Sequence, residues 1–208
     1  MSGLRFVLPV VLLLVTASCG HIVVKPEAKD ALTPEESYRL AAIYESKGEE
    51  ELALREYLSA AERGYAEAYF AMANIHIKKA EYGEAASELL KAIEADPSKG
   101  RYYNNLGWVY METGRLKEAE EAVKRAISQG PSELPAYLDT LGLIQMKGER
   151  FTESEDTFMR ALSLSGKGAG DGAGEIYGHL LELYRRTGQG EKAAGVEEKL
   201  RNLKKPSR

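Results

Sequence analysis

The feature that most constrains this chain is an internal repeat. Residues 66–99 and 100–133 are 34 residues each and align without a gap. Small residues correspond at Ala73 and Gly107, at Ala85 and Ala119, and at Ala92 and Ala126. Met72 corresponds to Leu106, and Pro97 to Pro131. A period of this length holds two short helices and their turns. One such hairpin cannot bury its apolar face alone, so neighbours must stack, and about three copies are needed for a stable shared core. Three fainter copies supply the rest. Residues 34–65 carry Leu40, Ala41, Tyr44, Ala53, Tyr57 and Ala60; residues 135–168 carry Leu138, Gly142, Ser154, Phe158 and Ala161; residues 174–207 carry Tyr177, Leu180, Tyr184 and Ala193. The expected fold is all-α, with five helix-turn-helix repeats over residues 34–207.

The small residues have a packing reason. Ala41, Ala73, Gly107 and Gly142 fall on first helices, and Ala53, Ala85, Ala119 and Ser154 on second helices. They let the two helices of a pair approach closely while larger residues fill the layer against the next repeat. Gly48, Gly114, Gly148 and Gly188 sit between paired helices, where a helix C-terminus favours positive φ. Thr33-Pro34-Glu35-Glu36 reads as a helix start, with a Thr cap, Pro in the first turn and Glu36 three residues after the cap. Residues 166–174, rich in glycine, read as a linker between the last two repeats. Residues 168–173 also match a loose dinucleotide-loop pattern, but such a loop follows a strand, and this one follows a helix. Glu197 occupies the position of Tyr57, Leu89, Val123 and Phe158, which suits a terminal repeat with a polar outer face.

The run Tyr103, Leu106, Gly107, Tyr110, Ala119, Val123, Ala126, Pro131 resembles the tetratricopeptide repeat family at nearly every offset. The resemblance extends over Pro34 to about Ser207. It implies a right-handed superhelical solenoid whose first helices line a concave groove for a peptide or a partner helix. Carried onto this chain, the groove positions include Tyr38, Phe70, Asn74, Ile77, Lys78, Arg101, Asn104, Asn105, Trp108, Met111, Met146, His179 and Arg185. Large apolar groups in the middle with polar groups around them suit a binding surface. Packing of Trp108 and the methionines against neighbouring first helices stands as the alternative. Asn74 and Asn105 match the two asparagines with which some members of the family clamp a terminal carboxylate. The matching basic positions hold Phe70, Ala136 and Thr140, so the clamp is incomplete.

The N-terminus reads as an export signal. Arg5 precedes an apolar run from Phe6 to Val15, too short to cross a bilayer of about 30 Å as a helix at ~1.5 Å per residue. Small residues then lead to Cys19, the only cysteine. Residues 1–18 resemble a bacterial lipoprotein signal peptide, with lipidation of Cys19 implied; Thr16 stands where the motif usually has Leu. The alternative is an ordinary signal peptide with Cys19 incidental. Residues 19–33 read as the lipidated cysteine and a flexible tether. Loss of Arg5 with the leader leaves 27 basic and 32 acidic residues, so lipid rather than charge would hold the protein on a membrane.

Other function classes are disfavoured. The full chain carries 28 basic and 32 acidic residues, a poor match to a polyphosphate backbone, so no nucleic-acid partner is expected. One cysteine excludes an intramolecular disulfide and a Cys-based zinc site. The nucleophile-elbow, zinc-protease and phosphate-loop motifs are missing from the sequence, and no enzyme activity, cofactor or metal is expected. His76 stands at the position of Tyr44, Tyr110 and Tyr184, as a packed histidine would, and His179 lies within reach of Glu182 on its own helix.

The expected function is an exported, membrane-anchored scaffold that binds envelope proteins through its groove. The resemblance extends to pilotin-like lipoproteins of type IV pilus biogenesis, which assist secretin assembly. Gly20 after Cys19 implies outer-membrane sorting facing the periplasm, with a soluble periplasmic protein as the alternative. An adaptor for a peptidoglycan hydrolase and a component of polysaccharide export are the rival roles.

Overall fold

The computed structural model describes residues 32–131, 133–165 and 172–203. The expected signal peptide, Cys19 and most of the tether lie outside the described residues, as do residues 166–171 of the glycine-rich stretch. Among the described residues there are ten helices and no strands: α1 (Pro34–Ser46), α2 (Glu50–Ala61), α3 (Ala66–Lys78), α4 (Tyr82–Ala95), α5 (Gly100–Glu112), α6 (Leu116–Ser128), α7 (Leu134–Lys147), α8 (Phe151–Leu164), α9 (Ala173–Arg186) and α10 (Gly190–Leu203). Consecutive helices pair as hairpins, and each second helix also packs on the first helix of the next hairpin. The fold is an all-α repeat solenoid.

The first helix begins as its sequence demands. Thr33 Oγ1 accepts from the Glu36 amide at 3.2 Å, and Glu36 Oε2 accepts from the Thr33 amide at 2.7 Å, with Pro34 in the first turn. Two backbone donors are thereby satisfied reciprocally.

Close approach within each hairpin rests on the small residues. Ala41, Ala53, Ala73, Ala85, Ala119 and Ser154 are fully buried. A Cβ at Gly107 would lie 2.5 Å from Val123 and 2.9 Å from the Ala119 carbonyl; one at Gly142 would meet the Phe158 ring at 2.5 Å. Ser154 fills an alanine position because its hydroxyl donates to the Gly142 carbonyl at 2.8 Å, so burial leaves it satisfied.

The turns correct one expectation. Gly48, Gly114 and Gly188 adopt φ of +75°, +76° and +72°, but Gly148 has φ −82° and Glu149 takes the left-handed position at φ +61°. The turn after α3 likewise places Ala80 at φ +56°. The left-handed residue is the second of the three joining the paired helices, and Gly148 is the first. At the start of α9 the linker is also shorter than expected, since Ala173 and Gly174 are helical.

Candidate protein-binding face

The side of the first helices turned away from their second helices carries a ladder of bonds between successive repeats. Lys78 of α3 reaches Glu45 of α1 at 2.7 Å. Arg101 of α5 pairs with Glu67 of α3, and Tyr102 donates to the same carboxylate at 2.8 Å. Asn105 of α5 donates to Asn74 of α3 at 2.9 Å. Lys147 of α7 pairs with Glu112 of α5 at 3.3 Å, and His179 of α9 with Asp139 of α7 at 2.8 Å. The hydrogen bond to Asp139 raises the His179 pKa above its ordinary value, against the opposing effect of burial. His179 therefore bonds across repeats rather than to Glu182, as the sequence had suggested.

Between α1 and α3 this face opens into a hollow of about 390 Å³. Five of the expected groove residues line it: Tyr38, Phe70, Asn74, Ile77 and Lys78. Tyr38 is wedged against Tyr65 and Tyr57, ring centroids 4.9 and 5.3 Å away. Phe70 packs on Tyr102 at 5.0 Å with the Arg101 guanidinium 5.4 Å from its ring centre. Tyr57, Glu45, Glu67 and Ala71 complete the lining, and the sequence reading did not include them. Glu45 accepts from the Tyr57 hydroxyl at 2.9 Å as well as from Lys78. Each carboxylate at the hollow is thus matched by one cation and one tyrosine. The available signal was opposite charge one repeat apart, Glu45 with Lys78 and Glu67 with Arg101.

The other expected residues divide. Asn104 lines a second hollow of about 190 Å³ with Asp139, Thr140 and Glu175, and its Oδ1 is buried with no hydrogen-bond partner among the described residues. Trp108 is half-buried, edge-on to Tyr82 at 5.9 Å, and packs into the layers on both sides of α5. Met146 is half-buried against the α7–α10 core. Met111 does not reach the surface of this face: it is 5% exposed and packs with Ala119, Val123, Tyr137 and Ile144. Arg185 also departs, pairing with Glu197 of α10 at 2.7 Å. Asn74 and Asn105 spend one polar atom each on one another, leaving the Asn74 amide N–H and the Asn105 carbonyl for a ligand. His76 is half-buried and bonds Glu81 at 2.7 Å.

A face that neutralises its own charges and exposes aromatic side chains in a hollow is suited to an apolar anchor with hydrogen bonds around it. Comparison with known proteins agrees with the fold. The family model for the tetratricopeptide repeat matches residues 70–133. Repeats of this kind present extended surfaces for protein partners. No curated protein matches the chain. Among solved structures, MamA from residue 41 onward of Desulfovibrio magneticus RS-1 is similar, with TM-score 0.66, 18% identity, and 82% of this chain and 94% of that chain covered. A Pseudomonas aeruginosa pilF structure is similar at TM-score 0.64 and 18% identity, covering 84% of this chain and 78% of that one. BtubC (BKLC) from P. vanneervenii is similar at TM-score 0.70 and 16% identity, covering 84% of each chain. Residues 70–133 match the tetratricopeptide repeat family, and the described helices as a whole form the repeat solenoid of these structures.

Proposed function

We propose that this chain is a non-catalytic scaffold of the bacterial envelope that seats a segment of a partner protein on its first-helix face. The observation that carries the reading is the hollow between α1 and α3. Its aromatic walls offer a partner apolar burial, and a fully buried apolar side chain contributes about 1.5–3 kcal/mol. Its charges are already matched, so the anchor that suits it is apolar rather than ionic. A lipid on Cys19, after removal of residues 1–18, holds the protein at the outer membrane facing the periplasm. Assembly of a type IV pilus or secretin complex is the process we assign, on the pilotin-like resemblance of the sequence and the fold shared with the pilF structure.

The test has two arms. Capture from envelope extract should recover a specific partner with the parent and lose most of it with Phe70→Ala, at unchanged helicity. Equal recovery with both proteins would remove the hollow from the account. Cys19→Ala should move the protein from membrane to soluble fractions, and a mature N-terminus without acylation would end the anchoring claim.

A further inference from the structure

The repeats stack by burying one stripe of each first helix under the preceding second helix. Three residues before the last residue of each later first helix, Ile75 is 1% exposed, and Val109, Ile144 and Leu183 are fully buried. The residue at the same register in α1 is Ile43, and it is 51% exposed. Glu36, Leu40, Ile43 and Lys47 are spaced four, three and four residues apart, so they share one helix face. Glu36 and Lys47 are exposed and Leu40 is half-buried. Among the described residues Lys47 has no ion-pair partner, and Glu36 uses Oε2 on the Thr33 amide while its other oxygen has no hydrogen-bond partner.

We propose that this stripe of α1 is the interface for a second copy of the chain, packed antiparallel across a two-fold axis. The order along the stripe is acid, apolar, apolar, base. Reversed against itself, it sets Glu36 opposite the second copy's lysine and Leu40 opposite its isoleucine, and both pairings share one midpoint between residues 41 and 42. A self-complementary patch of this kind is what an isologous contact requires. Opposed charges at the two ends fix the antiparallel direction, and burial of Ile43 supplies the attraction. One helix face makes a small interface, so the association is weak.

Sedimentation velocity of the full chain over a concentration series tests this. A reversible monomer–dimer equilibrium is expected. Ile43→Glu should weaken it by about tenfold or more with little change in melting temperature, since the side chain is exposed in the single chain. Lys47→Glu and Glu36→Lys should each weaken association, and an equal mixture of the two should restore it as a heterodimer. Because Glu36→Lys also removes half of the Thr33 capping box, its helicity is checked, and Ile43→Glu carries the test alone if that variant does not fold. A monomer at every concentration overturns the proposal. So does a dimer unaffected by Ile43→Glu, or a charge-swapped mixture that stays monomeric.

Discussion

The junction between α1 and α3 and the junction between α5 and α7 are built from the same register yet present opposite surfaces. α5 packs directly against α7, whereas α1 and α3 do not approach as closely. Tyr137 of α7 lies across Gly100, the first residue of α5; a Cβ there would sit 2.6 Å from its hydroxyl and 3.0 Å from the Ala126 carbonyl. The closed junction buries Met111. At the open junction the equivalent residue of α3, Ile77, lines the hollow, and the wedge of Tyr38 against Tyr57 and Tyr65 occupies the space between helices. A repeat alignment equates such positions, but only the distance between neighbouring first helices decides whether a side chain is core or surface.

The two junctions should differ most at those two residues. Met111→Ala should cost about 2–5 kcal/mol, as removal of a buried side chain does, while Ile77→Ala should cost well under half as much. Chemical denaturation of both variants gives the answer; equal losses would mean the two junctions are alike.

Next in size are the close approaches. Gly100→Ala would ordinarily favour a helix, but here the added methyl meets Tyr137 and a backbone carbonyl, so a loss of about 1–3 kcal/mol is expected. Gly107→Val should cost a similar amount, ~1–3 kcal/mol or more, since the Ala119 carbonyl cannot move aside cheaply. Stabilisation by Gly100→Ala would show that the α5–α7 contact is looser than described.

A smaller effect separates the junctions by pH. The α7–α9 bond from His179 to Asp139 titrates. The His179 pKa is raised in the folded chain. Its contribution is therefore fully present below the unfolded value of about 6.5 and is lost as pH rises through the raised value. Melting temperature should fall across that window in the parent and lose this component in His179→Gln. The same pH profile in both would remove the bond from the account.

The smallest effect is a gain. Ala80 and Glu149 hold left-handed backbone, one beside each kind of junction. Ala80→Gly and Glu149→Gly should each stabilise by about 0.5–1 kcal/mol, because relief of the left-handed strain outweighs the added chain entropy. Thermal melts suffice, and a loss at both positions would contradict the turn geometry.

The 34-residue period made the helical hairpins legible, because packing at Ala73, Gly107, Ala85 and Ala119 repeats with the chain. The turn at Gly148 was misread because glycine there suggests left-handed backbone, while the register of the turn gives that role to Glu149. On the candidate face, the family's groove positions carried over by register gave Tyr38, Phe70, Asn74, Ile77 and Lys78, and these five line one hollow. Met111 was not, since its burial depends on Gly100 letting α7 close on α5. Arg185 was not either, since its partner Glu197 belongs to the terminal helix, where the repeat pattern changes.

A partner seated in the open junction would shield the backbone of the helices around it. Hydrogen exchange of the chain with and without its captured partner tests it most directly. New protection is expected in α1 and α3, around Tyr38, Phe70 and Asn74, with the second helices unchanged. Protection confined to the second helices, with α1 and α3 exchanging as in the free chain, would contradict it.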